Sequence, residues 1–83
     1  MSAEKFSVEY YTKKFGSSLE KAFVHFVKEL GELARAIEKD NPELAKLEMT
    51  EMMALLFYFA ERYGFNLLEN VEQLYKKKME SLK

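Results

Sequence analysis

Six large apolar side chains, Leu19, Phe23, Phe26, Leu30, Leu33 and Ile37, recur at alternating spacings of four and three. That is the period of one helical face, and it runs for about 20 residues, or about 30 Å of helix. A run this long is a bundle helix, and no strand-like alternation of useful length appears elsewhere in the 83 residues. Punctuation falls at Gly16-Ser17-Ser18, Asp40-Asn41-Pro42 and Gly64-Phe65-Asn66, each joining a helix-stopping or turn residue to a capping residue. Ser17 with Glu20 has the capping-box pattern, Asn41 precedes a proline at the first helical position, and Asn66 with Glu69 repeats the cap-plus-acid arrangement. The chain therefore divides into four helices in one domain, residues 1–83.

The short connections favour antiparallel neighbours, and the expected fold is an all-α, antiparallel four-helix bundle. The first helix, near residues 6–15, is short and weakly patterned. The third is apolar nearly all round: Ala45, Met49, Met52, Leu56, Phe59 and Tyr63 form one stripe, and Leu44, Leu47, Leu55 and Tyr58 a second flank. Such a helix is expected at the centre of the bundle or at a subunit interface. The fourth places Leu68, Val71, Tyr75, Met79 and Leu82 on one face, with Lys76, Lys77 and Lys78 around the others, where they suit the helix dipole.

Size and composition narrow the options further. A chain this small buries only about 60 to 65% of its unfolded surface, so its core needs a supplement. Cysteine is absent and His25 is the sole histidine, which removes disulfides, thiolate zinc sites and histidine-built metal sites. Paired Glu-x-x-His di-iron chemistry is excluded on the same ground. A hydrophobic fraction of 48%, with seven Phe and five Tyr, exceeds what one small bundle hides from water, so a homodimer or homotetramer is expected. A net charge of -1 argues against nucleic acid as a partner. The longest apolar run, residues 52–60, is too short to span a membrane, and the first residues lack the apolar core of a signal peptide, so a cytoplasmic protein is expected.

Against this packing pattern stand acids that do not belong to it. Glu29 and Glu32 lie one turn apart and can present oxygens to one hard divalent cation. At 100° per residue they fall with His25 and the 35–36 edge along one flank of the apolar stripe, half in and half out of the core. Glu51, on the next helix, sits on the flank of Leu47, Leu55 and Tyr58, where an unpaired carboxylate is costly to desolvate. Each has a plainer reading, a solvated helix face for the glutamates and an edge-of-core ring for His25. The aromatic residues of the third helix read first as core or interface, with Phe57 or Tyr58 as candidates to face a nucleobase in an oligomer.

The run Glu29-Leu30-Gly31-Glu32-Leu33-Ala34, followed by a short loop and then Glu51 on the next helix, resembles the MazG-like all-α nucleotide pyrophosphohydrolases. Their pattern is E-x-x-E on one helix and E-x-x-D on the next, and the resemblance covers most of the chain. Aligning Leu56-Phe57-Tyr58 and Gly64-Phe65-Asn66-Leu67 with the family's apolar run and turn puts Glu51 at the second E and Ala54 where the aspartate belongs. Lys28 replaces a glutamate that often precedes the first motif, and the family's lysine and asparagine on the last helix fall on Leu74 and Lys78. Glu48, one turn before Glu51, can supply a replacement oxygen if the metal shifts by a turn.

The resemblance implies a catalytic set of Glu29, Glu32 and Glu51, metal ligands drawn from Glu29, Glu32, Glu51 and Glu48, and Mg2+ or Mn2+ as the cofactor. The implied reaction is hydrolysis of a nucleoside triphosphate between its α and β phosphates, giving a monophosphate and pyrophosphate. Ala54 supports a rival expectation, a degenerate member that survives as an oligomerising or nucleotide-binding module.

Overall fold

A computed structural model describes residues 2–82. Among them are four helices and no strand: α1 (Ala3–Phe15), α2 (Leu19–Glu38), α3 (Pro42–Tyr63) and α4 (Leu67–Ser81). Each begins on a side-chain cap. Ser2 accepts from the Lys5 amide at 3.1 Å, Asn41 from Leu44 at 3.2 Å ahead of Pro42, and Asn66 from Glu69 at 2.9 Å. The α2 cap is Ser18, accepting from the Lys21 amide at 3.3 Å, one residue beyond the expected Ser17. Gly16 is the reason: at φ 61° it occupies the left-handed half of backbone space, and Ser17 completes the turn. Gly64 ends α3 at φ 76°, ψ 39°, the left-handed conformation that glycine adopts without a Cβ penalty.

α3 is the centre of the molecule. It touches each of the other three helices, α1 and α2 also touch each other, and α4 touches α3 alone. The core is aromatic: Tyr11 from α1, Ala22 from α2, and Leu55 and Tyr58 from α3, with Phe15, Leu19, Phe26, Ala54 and Phe59 packed around them. The rings of Tyr11 and Tyr58 meet at 6.3 Å, and the Tyr58 hydroxyl donates to the Gly16 carbonyl at 2.8 Å, fastening α3 to the α1–α2 turn.

The stripe expected to bury α2 is only partly the one that does so. Phe23, Leu30 and Ile37 are exposed, and the residues fully withdrawn from water are Ala22, Glu29 and Ala36. The seam runs through residues 22, 26, 29, 33 and 36, still a helical period but turned away from the largest side chains. On α3 the buried line likewise follows the second flank, through Glu48, Leu55 and Tyr58, while Met49, Leu56 and Tyr63 remain exposed. Alanines and carboxylates share the α2–α3 contact with Phe26, Leu55 and Tyr58, while Phe23, Leu30 and Ile37 of α2 and Met49, Leu56 and Tyr63 of α3 face outward.

Candidate functional site

This rotation of the seam moves the acids inward. Glu29, expected half in and half out, is 4% exposed, and Glu48 is 2% exposed. Glu32, Glu51 and His25 are half-buried beside them. Two groups of potential donor atoms result, each with its atoms within 4.8 Å of one another: Glu29, Glu32 and Glu48, and His25, Glu29 and Glu51. All four glutamates singled out in the sequence thus lie along one seam. Glu48, read from sequence as a replacement, is the most deeply buried of the four, and Glu51 joins the group containing His25.

Among the described residues no lysine or arginine is paired with the cluster. Among the described residues the ion pairs are Lys13 with Glu9, on the surface, and His25 with Glu29, whose Nε2 and Oε1 are 3.7 Å apart. The Glu48 Oε2 atom is buried without a hydrogen-bond partner. A carboxylate in that position must take up a proton or a counter-charge, because an ionised group stripped of water is costly by several kcal/mol or more. The electrostatics follow. Proton sharing with Glu32, then burial, then the proximity of Glu29 push the Glu48 carboxyl up to about 8. Burial first, and Glu29 and Glu32 after it, also raise Glu51, against a smaller opposing pull from Lys14.

α1 closes one side of this cluster. Burial raises the Tyr11 phenol above its ordinary value, and the charges of Glu51 and Glu29 add to the shift, which places this ring within the field of the acids. Tyr11 stacks on Phe15 at 5.8 Å, and both rings pack near His25, at 6.4 and 5.6 Å. The weak pattern of the first helix gave no sign of this role. The hint available was a pair of aromatic residues, Tyr11 and Phe15, spaced four apart just before the glycine turn.

Ala54, at the turn after Glu51, is half-buried and packs against the Tyr11, Ala22, Leu55 and Tyr58 core. Phe57 and Tyr58, considered as nucleobase partners, are 8% and 0% exposed and unavailable for stacking in this arrangement. Lys28, Leu74 and Lys78 are exposed, and Lys78 lies over the Tyr75 ring of its own helix at 4.9 Å. No protein-family model matches the chain, and neither the curated proteins nor the solved structures give a significant match.

The donor set fits a hard divalent ion. Carboxylate oxygens are the ligands that magnesium and manganese take, and a buried oxygen without a donor in a ring of acids is where positive charge is needed.

Proposed function

We propose that the chain is a divalent-metal-dependent nucleoside triphosphate pyrophosphohydrolase of MazG-like type, an antiparallel four-helix bundle working as a homodimer or homotetramer. The observation that carries the reading is the Glu48 Oε2 atom, buried and unpartnered in a side chain that groups with Glu29 and Glu32. Glu29 and Glu32 from α2, with Glu48 and Glu51 from α3, would hold the Mg2+ or Mn2+. When bound, such an ion neutralises phosphate charge and lowers the pKa of a coordinated water. Water adds at a phosphorus atom, the bridge between the α and β phosphates breaks, and the products are a nucleoside monophosphate and pyrophosphate.

The chain's own residues set the conditions for that step. Tyr11, buried and within the field of Glu29 and Glu51, packs with Phe15 and Tyr58 in the adjoining core, and burial of this kind strengthens electrostatic contacts. No side-chain nucleophile is required, in keeping with a chain that has neither cysteine nor a glycine-rich phosphate loop. Oligomerisation is supported by exposed apolar surface on α2 (Phe23, Val24, Val27, Leu30) and on α4 (Leu68, Val71, Tyr75, Met79).

The second reading, a degenerate oligomerising or nucleotide-binding module, is favoured by Ala54, whose core packing leaves no carboxylate at that turn. Pyrophosphate release from a panel of canonical and modified nucleoside triphosphates, with magnesium or manganese, separates the two. Turnover by the native chain that is lost in Glu29→Gln supports the enzyme. Absence of turnover in both selects the module.

A further inference from the structure

We infer that two copies of the chain pair through α4, antiparallel about a two-fold axis, with the acidic first half of each helix against the basic second half of the other. The pairing supplies a contact for the homodimer proposed above and is independent of the hydrolase reading. Of the four described helices, α4 is the one that buries none of its residues, and it touches α3 alone. A helix of 15 residues with so little tertiary support is marginal in water, so its persistence calls for a cover.

The chemistry of that cover is written on the helix. At 100° per residue Leu68, Val71, Tyr75, Met79 and Leu82 fall on one narrow stripe, and all five are exposed. Beside the stripe Glu69, Glu72 and Lys76 share a flank, acids first and base last. Among the described residues none of these three enters an ion pair, although Glu72 and Lys76 lie four apart on one helix. The Glu69 carboxylate accepts from Gln73 at 3.4 Å, a long contact within its own helix. The helix dipole favours the same order of charge in a lone helix, but it does not call for an uncovered apolar stripe alongside.

Placing Val71 opposite the second copy's Tyr75, and Tyr75 opposite its Val71, sets the register. Lys76 then lies between Glu69 and Glu72 of the other helix, and the two-fold axis makes that contact twice. A parallel pairing would instead bring acids level with acids and lysines level with lysines. In the antiparallel register Leu82, 79% exposed, reaches the second copy's α3–α4 turn, where Tyr63 and Phe65 are 72% and 45% exposed.

The experiment uses two full-length variants, Glu69→Lys with Glu72→Lys, and Lys76→Glu, each checked for native helicity and followed by sedimentation equilibrium alone and as an equimolar mixture. Either variant by itself has like charges across the contact, and its dissociation constant should rise at least about tenfold. In the mixture every contact regains opposite charges, and the native constant should return. Nitroxide labels give a second readout, since the native chain has no cysteine. Labels on Ser81→Cys should sit about 24 Å apart along the helix axis, and labels on Gln73→Cys level with each other. Variants that associate as the native chain does would overturn the α4 contact while leaving a homodimer built elsewhere. Weakening without recovery in the mixture, or Ser81→Cys labels level with each other, would overturn the antiparallel register. A monomeric native chain would overturn the pairing and the homodimer together, whatever pyrophosphate release shows.

Discussion

A carboxyl group that is 2% exposed, with one oxygen that no donor reaches, must either lose its charge or acquire a counter-charge. Without metal, Glu48 takes the proton, which is why its titration moves from 4.5 to about 8. The sign of the consequence is fixed. Between those two values the folded chain holds a proton that the unfolded chain has released, so folding is most favoured below the lower value and loses stability as pH rises through the upper one. Metal-free urea unfolding across that window should show falling stability with rising pH, and Glu48→Gln should flatten the dependence. A flat native profile would remove the buried acid from the account. Gly31, between the two acids of α2, makes a separate point. A Cβ added there meets nothing within 4 Å, so Gly31→Ala should stabilise the isolated chain by about 0.5 to 1 kcal/mol, read from urea midpoints. At this scale the sequence was informative where spacing carries chemistry, since Glu29 and Glu32 declare themselves by sitting one turn apart. It was less so for Glu48, because burial depth is decided by how α2 and α3 meet, not by either helix alone.

The elements themselves were legible from local rules. Caps, glycine stops and apolar period place the last three helices, with Ser18 in place of Ser17, whereas the weakly patterned first helix, expected near residues 6–15, begins at Ala3 on a Ser2 cap. What periodicity could not settle is which of two overlapping apolar faces of α2 is buried. The face with the larger side chains, Phe23, Leu30 and Ile37, is the natural choice from transfer free energy. The structure instead buries Ala22 and Ala36, whose small side chains let α2 approach α3 and enclose the carboxylates. Ala22, at 0% exposure, has no room to grow, so Ala22→Leu should cost about 1 to 3 kcal/mol by overpacking. Phe23→Ser at an exposed position should cost far less in the monomer, and equal losses in calorimetric scans would contradict the observed seam. Tyr58 joins elements rather than filling space alone. Tyr58→Phe leaves the Gly16 carbonyl without its 2.8 Å donor, and the expected loss is about 1 kcal/mol.

The molecule as a whole is larger than its length requires. Its radius of gyration is 14.7 Å, against about 12 Å for a compact chain of this size. The excess has a visible source: α4 touches α3 alone, buries none of its residues, and leaves Leu68, Val71, Leu74 and Met79 in water. An assembly of copies would cover this face and that of Phe23, Val27 and Leu30. Light scattering should accordingly give a mass of two or four chains, and Leu30→Asp combined with Val71→Asp should reduce it without lowering helicity. A monomeric native chain would leave those faces unexplained by self-association. The claim on which the functional account rests is the cation in the acid seam, and thermal unfolding of the native chain beside Glu48→Gln, in chelator and then in excess manganese, tests it most directly. At 100 times the dissociation constant a single bound ion adds about 2.7 kcal/mol, or roughly 10 °C or more in a domain of this size. The native chain should show that rise and Glu48→Gln, whose metal-free form starts higher at neutral pH, a much smaller one; a native melting temperature indifferent to manganese and magnesium would mean that the seam holds no cation.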